Sequence, residues 1–306
     1  MGTRLLQRAA VALRRSVIVS GMVATMFFGP PAARASTYNF TDLNYPGAAP
    51  HGTLAEGISG GRIVGFYYDA GDRAHGFSYD GSNYTPLNDP DAAVDGDTVA
   101  YGISGNVIVG YYTGSLGNGR HGFRYDGSSW TSLNGPAGAV DSSALGVSGN
   151  VIVGEYTDAS NQQHGFRYDG SSFSTLDDPL ASGPQQAWGV SGGTIVGRYV
   201  GGDNRYHGYS YDGSSFTTLD DPQSIADTYF YGINSGIVVG AYNTGSSEHG
   251  LIYDGSSYNH ADDPGSFYGT EIHGISGNTI VGWYLNSSNQ YRGFMAVSQE
   301  IGRAHV

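Results

Sequence analysis

The chain has 306 residues, with 50 Gly, 24 Tyr, no Cys, no Lys and only 13% charged residues. Its formal net charge is −13, with 27 acids against 14 Arg. That composition excludes a disulfide scaffold and thiolate chemistry, and it offers no basic track for nucleic acid or an anionic membrane surface.

The first 35 residues read as a secretory signal. Arg4, Arg8, Arg14 and Arg15 form a basic start, Ser16 to Gly29 is mostly apolar, and Ala33-Arg34-Ala35 is a small-x-small cleavage site before Ser36. Arg14-Arg15 also admits a twin-arginine reading, though the residues after it match that pattern poorly. The apolar run is too short and too broken by Gly and Ser for a membrane span. This segment holds five of the Arg and no acid, so the remainder is more acidic still.

From 36 to 299 the chain repeats itself. Units begin at Gly57, Gly102, Gly146, Gly189, Gly232 and Gly274. Each runs Gly-[Ile/Val]-Ser-Gly-x-x-Ile-Val-Gly-x-Tyr, a polar loop, His-Gly-Phe-x-Tyr-Asp-Gly-Ser-Ser, an aromatic, and Leu-x-Asp-Pro, with substitutions. Alternating apolar runs separated by Gly, Asn and Asp turn residues predict four short strands per unit. In the second unit these are A near Ala100–Ser104, B at Val107–Thr113, C at Arg120–Asp126 and D at Ser129–Leu133. The last unit, from Gly274 to Val297, has no strand D, whereas Tyr38 to Pro46 resembles a strand D without its unit. The expected fold is therefore all-β: a six-bladed β-propeller of four-stranded blades, the sixth split between 38–46 and 274–297. In that ring the N-terminal strand D joins the C-terminal strands A–C. Its variable B–C and D–A loops share one face, the natural place for binding.

Comparison of the copies separates scaffold from candidate site. His75, His121, His164, His207 and His249 recur at the start of strand C, with Arg292 in the last copy. Asp80, Asp126, Asp169, Asp212 and Asp254 recur in the C–D turn. Such regularity points to strand and turn support, not to one site. The positions where copies disagree carry the candidates: Glu56, Tyr101, Leu145, Trp188, Tyr231 and His273 before the strand-A Gly, and Phe66, Tyr111, Glu155, Arg198, Ala241 and Trp283 after the strand-B Gly. Of these, Glu56, Tyr101, Trp188, Tyr231, His273, Glu155, Arg198 and Trp283 are the candidate ligand-binding residues at the channel mouth. Aromatic rings stack on sugar faces and the charged groups bond hydroxyls; ordinary packing between blades is the alternative reading. Asp91, Asp95 and Asp97 are candidate Ca²⁺ ligands, although the loop lacks EF-hand spacing and a closing Glu. No catalytic residue is assigned and no other cofactor is expected.

The repeat core, Ile108-Val109-Gly110 followed by Arg120-His121-Gly122-Phe123-Arg124-Tyr125-Asp126-Gly127, resembles the HAF repeat of exported bacterial proteins. That pattern has Val-Val-Gly, a polar loop, His-Ala-Phe, an aromatic and Gly; here His-Gly-Phe replaces His-Ala-Phe. The resemblance spans roughly Thr37 to Val297. It implies export, a repeat architecture and, in many members, a cell-surface sorting segment, but it brings no activity or catalytic residue.

The last seven residues, from Glu300 to Val306, read as a translated sequencing-library adapter, which would leave the natural C-terminus and any anchor beyond it. The expectation is an exported monomer, secreted, periplasmic or on the cell surface, that binds polysaccharide or a surface partner without catalysis. The alternative is a polysaccharide lyase or glycoside hydrolase at the channel mouth, with Glu56, Glu155 and Glu271 as the acids in plausible places.

Overall fold

The structure is a computed structural model that describes residues 37–49, 52–114 and 119–299. The expected leader at 1–35, the adapter-like tail at 300–306 and most of the loop between Gly114 and Gly119 lie outside the described residues. The remainder is an all-β propeller of four-stranded blades, with no helix among the described residues.

The strands run in chain order as β1 (Thr37–Leu43); β2 (Thr53–Ser59), β3 (Arg62–Tyr68), β4 (Ala74–Tyr79), β5 (Tyr84–Leu87); β6 (Thr98–Ser104), β7 (Val107–Thr113), β8 (Arg120–Tyr125), β9 (Trp130–Leu133); β10 (Ala139–Ser148), β11 (Val151–Asp158), β12 (Gln163–Tyr168), β13 (Phe173–Leu176); β14 (Gln185–Ser191), β15 (Thr194–Val200), β16 (Tyr206–Tyr211), β17 (Phe216–Thr218); β18 (Thr228–Asn234), β19 (Ile237–Asn243), β20 (Glu248–Tyr253), β21 (Tyr258–His260); and β22 (Gly269–Ser276), β23 (Thr279–Leu285), β24 (Tyr291–Gln299). In the second unit the expected strands A to D agree with β6 to β9 to within two residues.

Four separate sheets are four-stranded: β2–β5, β6–β9, β10–β13 and β14–β17. The remaining eight strands count as one sheet, which corrects the expectation of six separate blades. Its two halves, β18–β21 and β22–β24 with β1, are joined only by the parallel bridge Glu248↔Gly269. Strand β1 pairs antiparallel with β24, Tyr38 opposite Ser298 and Leu43 opposite Gly293, which is the pairing expected of the orphan strand. No ladder continues from there to β2. The first and last units meet through the isolated bridge Gly52↔Tyr291 and through side-chain packing.

That packing is the core. The apolar clusters lie between neighbouring sheets, because the strand-B Val faces the next unit while the strand-B Ile and the strand-C aromatic face the preceding one. Val64 and Leu87 of the first unit pack with Ile108 and Phe123 of the next. Leu43, Ala55, Ile58, Ile63 and Val281 do the same where the last unit meets the first. Along the inner strands the units approach through the repeated Gly. A Cβ on Gly57 would lie 2.5 Å from the Tyr101 carbonyl oxygen, and one on Gly274 would lie 3.2 Å from the Gly57 Cα. No side chain fits between those backbones.

Candidate functional site

Each inner strand carries a one-residue bulge. The register shifts at Ala55/Gly57, Ala100/Gly102, Ala144/Gly146, Ala187/Gly189, Phe230/Gly232 and Ile272/Gly274. The extra residue is the one before the Gly, so Glu56, Tyr101, Leu145, Trp188, Tyr231 and His273 are the bulge residues. A bulge re-aims a side chain out of the sheet's alternation. Here it turns all six toward a common channel, which they line together with the Gly and the following Ile or Val.

The structure brings these candidates together, but as a plug and not as an open platform. Tyr231 stacks on His273 with centroids 4.1 Å apart and planes 7° apart, and Trp188 meets Tyr231 edge-on at 5.1 Å and Tyr101 at 5.5 Å. Trp283 leans on His273 at 5.7 Å. The channel they leave holds about 70 Å³, room for a few waters and not for a sugar ring.

The charged candidates belong to one buried polar belt. His273 Nδ1 lies 2.6 Å from Glu56 Oε2 and its Nε2 lies 3.0 Å from Glu271 Oε2, with the Glu56 and His273 side chains 3% and 6% exposed. Burial disfavours the imidazolium, yet the two carboxylates raise its pKa to about 9. Burial also works against the charge on Glu271, but the His273 hydrogen bond wins and holds its pKa low. Glu248 takes the proton on its side: desolvation and the neighbouring Glu271 charge push it up to about 8. Farther round, Arg198 Nη1 donates to the Tyr231 hydroxyl at 3.4 Å and its Nε to Gln186 Oε1. Its guanidinium lies 4.9 to 5.6 Å from the ring centres of Tyr206, Tyr229, Trp188 and Tyr231. Gln186 donates to Glu155, which also accepts from Gln163 and pairs with Arg120 at 2.9 Å. The charged members thus have an opposite charge or a hydrogen-bond partner beside them, as buried charge requires.

This geometry suits support better than hydrolysis. Glu155 is held by Arg120, Gln163 and Gln186. Glu56 and Glu271 are both occupied by one imidazole. Arg120, Gln186 and Glu248 belong to the belt and were missed in the sequence. Arg120 and Glu248 open strand C, where the copies read Ala74, Arg120, Gln163, Tyr206, Glu248 and Tyr291. That disagreement between copies was the available signal.

The repeated residues are structural, as expected. His164 stacks on Tyr156 and bonds Asp177 at 3.0 Å, and His207 stacks on Tyr199 and bonds Asp220 at 2.7 Å; His75, His121 and His249 repeat the arrangement. Asp126 Oδ1 accepts the N–H groups of Ser128 and Ser129, which hold its pKa down at about 2, and Asp212 does the same in its turn. The candidate Ca²⁺ ligands do not converge. Asp95 pairs with Arg73 at 2.7 Å, Asp97 Oδ1 accepts the Ala74 N–H at 2.9 Å, and Asp91 donates its N–H to Asp89. Among the described residues no group of three His, Asp or Glu side chains could hold a metal ion.

The D–A loops carry a feature that the sequence reading passed over. Val94, Leu180, Ile225 and the Phe267–Tyr268 pair are exposed on four of these loops, and Val140 is exposed at the start of β10.

No family model matches the chain, and no curated protein matches it. Solved structures do. The fungal lectin of Aleuria aurantia, described as a six-bladed β-propeller with a novel fucose recognition mode, is 14% identical over 87% of this chain and 100% of its own, with a TM-score of 0.51. SapL1 lectin, solved with alpha methyl fucoside, is 14% identical over 84% and 95%, with a TM-score of 0.54. A mutant of AofleA from Arthrobotrys oligospora is 10% identical over 88% and 91%, also at 0.54. At such identities the likeness is one of fold.

Proposed function

We propose that this chain is an exported, non-catalytic carbohydrate-binding protein that presents its ligand face on the B–C and D–A loops. The observation that carries the reading is the plugged channel. The acids and bases that line the channel are buried, mutually paired and leave room only for water, so recognition falls to the loops around it. The reading takes the ring as six blades, with the eight-stranded sheet as two blades that share one bridge. Six bulged inner strands, and inner-strand Gly backbones that meet in cyclic order from Gly57 round to Gly274, support that count. The fucose recognition described for the similar lectins supports a glycan as the partner class. The leader-like start and the HAF-type repeat support export.

A glycan microarray probed with the purified chain, followed by mass analysis of every glycan retained, tests this. Binding with the glycan recovered intact is expected. Shortened or unsaturated products would establish the lyase or hydrolase alternative instead, and an array with no retained glycan would overturn both.

A further inference from the structure

Six loops lead into the six inner strands, and the residue just before each strand's first Thr, Ser or Gln is Gly52, Asp97, Asp141, Pro184, Asp227 or Gly269. All but Pro184 tie their loop to the start of the preceding strand C. Asp97 Oδ1 accepts the Ala74 N–H at 2.9 Å, Asp141 Oδ2 the Arg120 N–H at 3.1 Å and Asp227 Oδ1 the Tyr206 N–H at 2.8 Å. Where Gly stands, the backbones come close enough to bridge directly, Gly269 with Glu248 and Gly52 with Tyr291. At the third junction Pro184 supplies no carboxylate, and no such side chain caps Gln163.

A cleft of about 450 Å³ lies at this junction, between the turn at Asn161–Gln163 and the loop from Asp177 to Gln185. That volume falls within the roughly 300–1,000 Å³ of small-ligand pockets. Its wall includes Asp178, itself 3% exposed, whose Oδ2 has no hydrogen-bond partner. Asp263 Oδ2 shares that state at another junction, so the orphan oxygen alone marks no site; Asp178 has the cleft beside it. The other walls are rigid. His164 is fixed by Asp177 at 3.0 Å and faces Asp158 at 3.6 Å, and Gln185 accepts the Asp178 N–H at 2.7 Å. Ala181 and Pro184 add apolar surface.

We infer that this cleft is a binding site for one neutral pyranose residue of a glycan. A sugar hydroxyl donates to the exposed Asp177 carboxylate, and a ring or hydroxyl oxygen accepts from the Gln163 N–H and the Gln162 carboxamide, with the buried Asp178 carboxylate behind that wall. The C–H face of the sugar lies on Pro184 and Ala181. Asp158, Asp177 and Asp178 together exclude acidic sugars. The inference rests on the glycan-binding reading but localises it to one of six junctions.

Pro184→Asp tests it, because Asp at this position restores the tie that three sister junctions already use. Neutral methyl glycosides (α-L-fucoside, α-D-mannoside, β-D-galactoside, β-D-glucoside) are titrated at millimolar concentration into wild type, Pro184→Asp and Gln162→Ala, with the Gln163 amide shift followed by NMR. At least one glycoside is expected to bind wild type and move that amide. Pro184→Asp is expected to weaken it about tenfold or more with an unchanged or higher Tm, and Gln162→Ala to weaken it less. Binding by Pro184→Asp equal to wild type, or no binding of any of the four to wild type, overturns the site. An array that still retains glycan on Pro184→Asp would leave the general function standing and move the site elsewhere.

Discussion

His273 illustrates how much of the inner channel is settled by single residues. Its imidazole has a carboxylate on either side and a tyrosine ring flat against it, so it stays protonated where a free histidine would not. A group whose pKa is raised on folding contributes stability that is complete below its unfolded value and lost as pH climbs to the folded one. For His273 that window runs from about 6.5 to about 9, and for Glu248 from about 4.5 to about 8. Both slopes have the same sign, so the urea midpoint is expected to fall as pH rises from 6 to 9. Glu248→Gln should flatten the part of that fall below pH 8. A midpoint that rises over this range would contradict the buried pairing. The strand-C aromatics make a simpler test of packing: Phe166 is fully buried against the preceding unit, and Phe166→Ala should cost about 3–5 kcal/mol in chemical unfolding.

At the scale of the element, the repeat made the strands legible because its period, its turn residues and its alternation all point the same way. Strand β1 was readable beside β24 because the last unit lacks a strand D and the first residues resemble one. Two features were not readable by those means. The bulge comes from the close approach of neighbouring backbones at the inner Gly, which no single copy reveals, and it turns the candidate residues inward, where they plug the channel. The ties before each inner strand depend on one variable position per unit, Asp, Gly or Pro, that looks like ordinary loop variation until its partner across the junction is known. At that position Gly269 and Gly52 permit backbone bridges to Glu248 and Tyr291, where an Asp side chain makes the tie at three other junctions. Asp227→Ala should therefore leave the Tyr206 N–H without its acceptor and cost about 1–3 kcal/mol. Leu43→Ala, which empties the contact of β1 with the first unit, should cost about 2–5 kcal/mol. Thermal or urea unfolding measures both, and a negligible loss for Leu43→Ala would mean that β1 does not hold the first and last units together.

For the whole molecule, the charge balance and the plugged channel direct function outward. An acidic chain without Lys suits neutral ligands better than anionic ones. Exposed Leu180 lies in the loop that borders the cleft at Pro184, and Val94, Ile225 and Phe267 are exposed on the corresponding loops at other junctions. The channel residues picked out by disagreement between copies then act as a rigid centre that fixes the loops. The most direct test is backbone amide mapping by NMR, with the labelled chain titrated by a glycan it retains on the array. Shifts concentrated in 159–164, 177–185 and the other B–C and D–A loops, with Glu56, Trp188, Tyr231 and His273 unmoved, are the predicted result. Shifts centred on those four channel residues, with the loops silent, would contradict it.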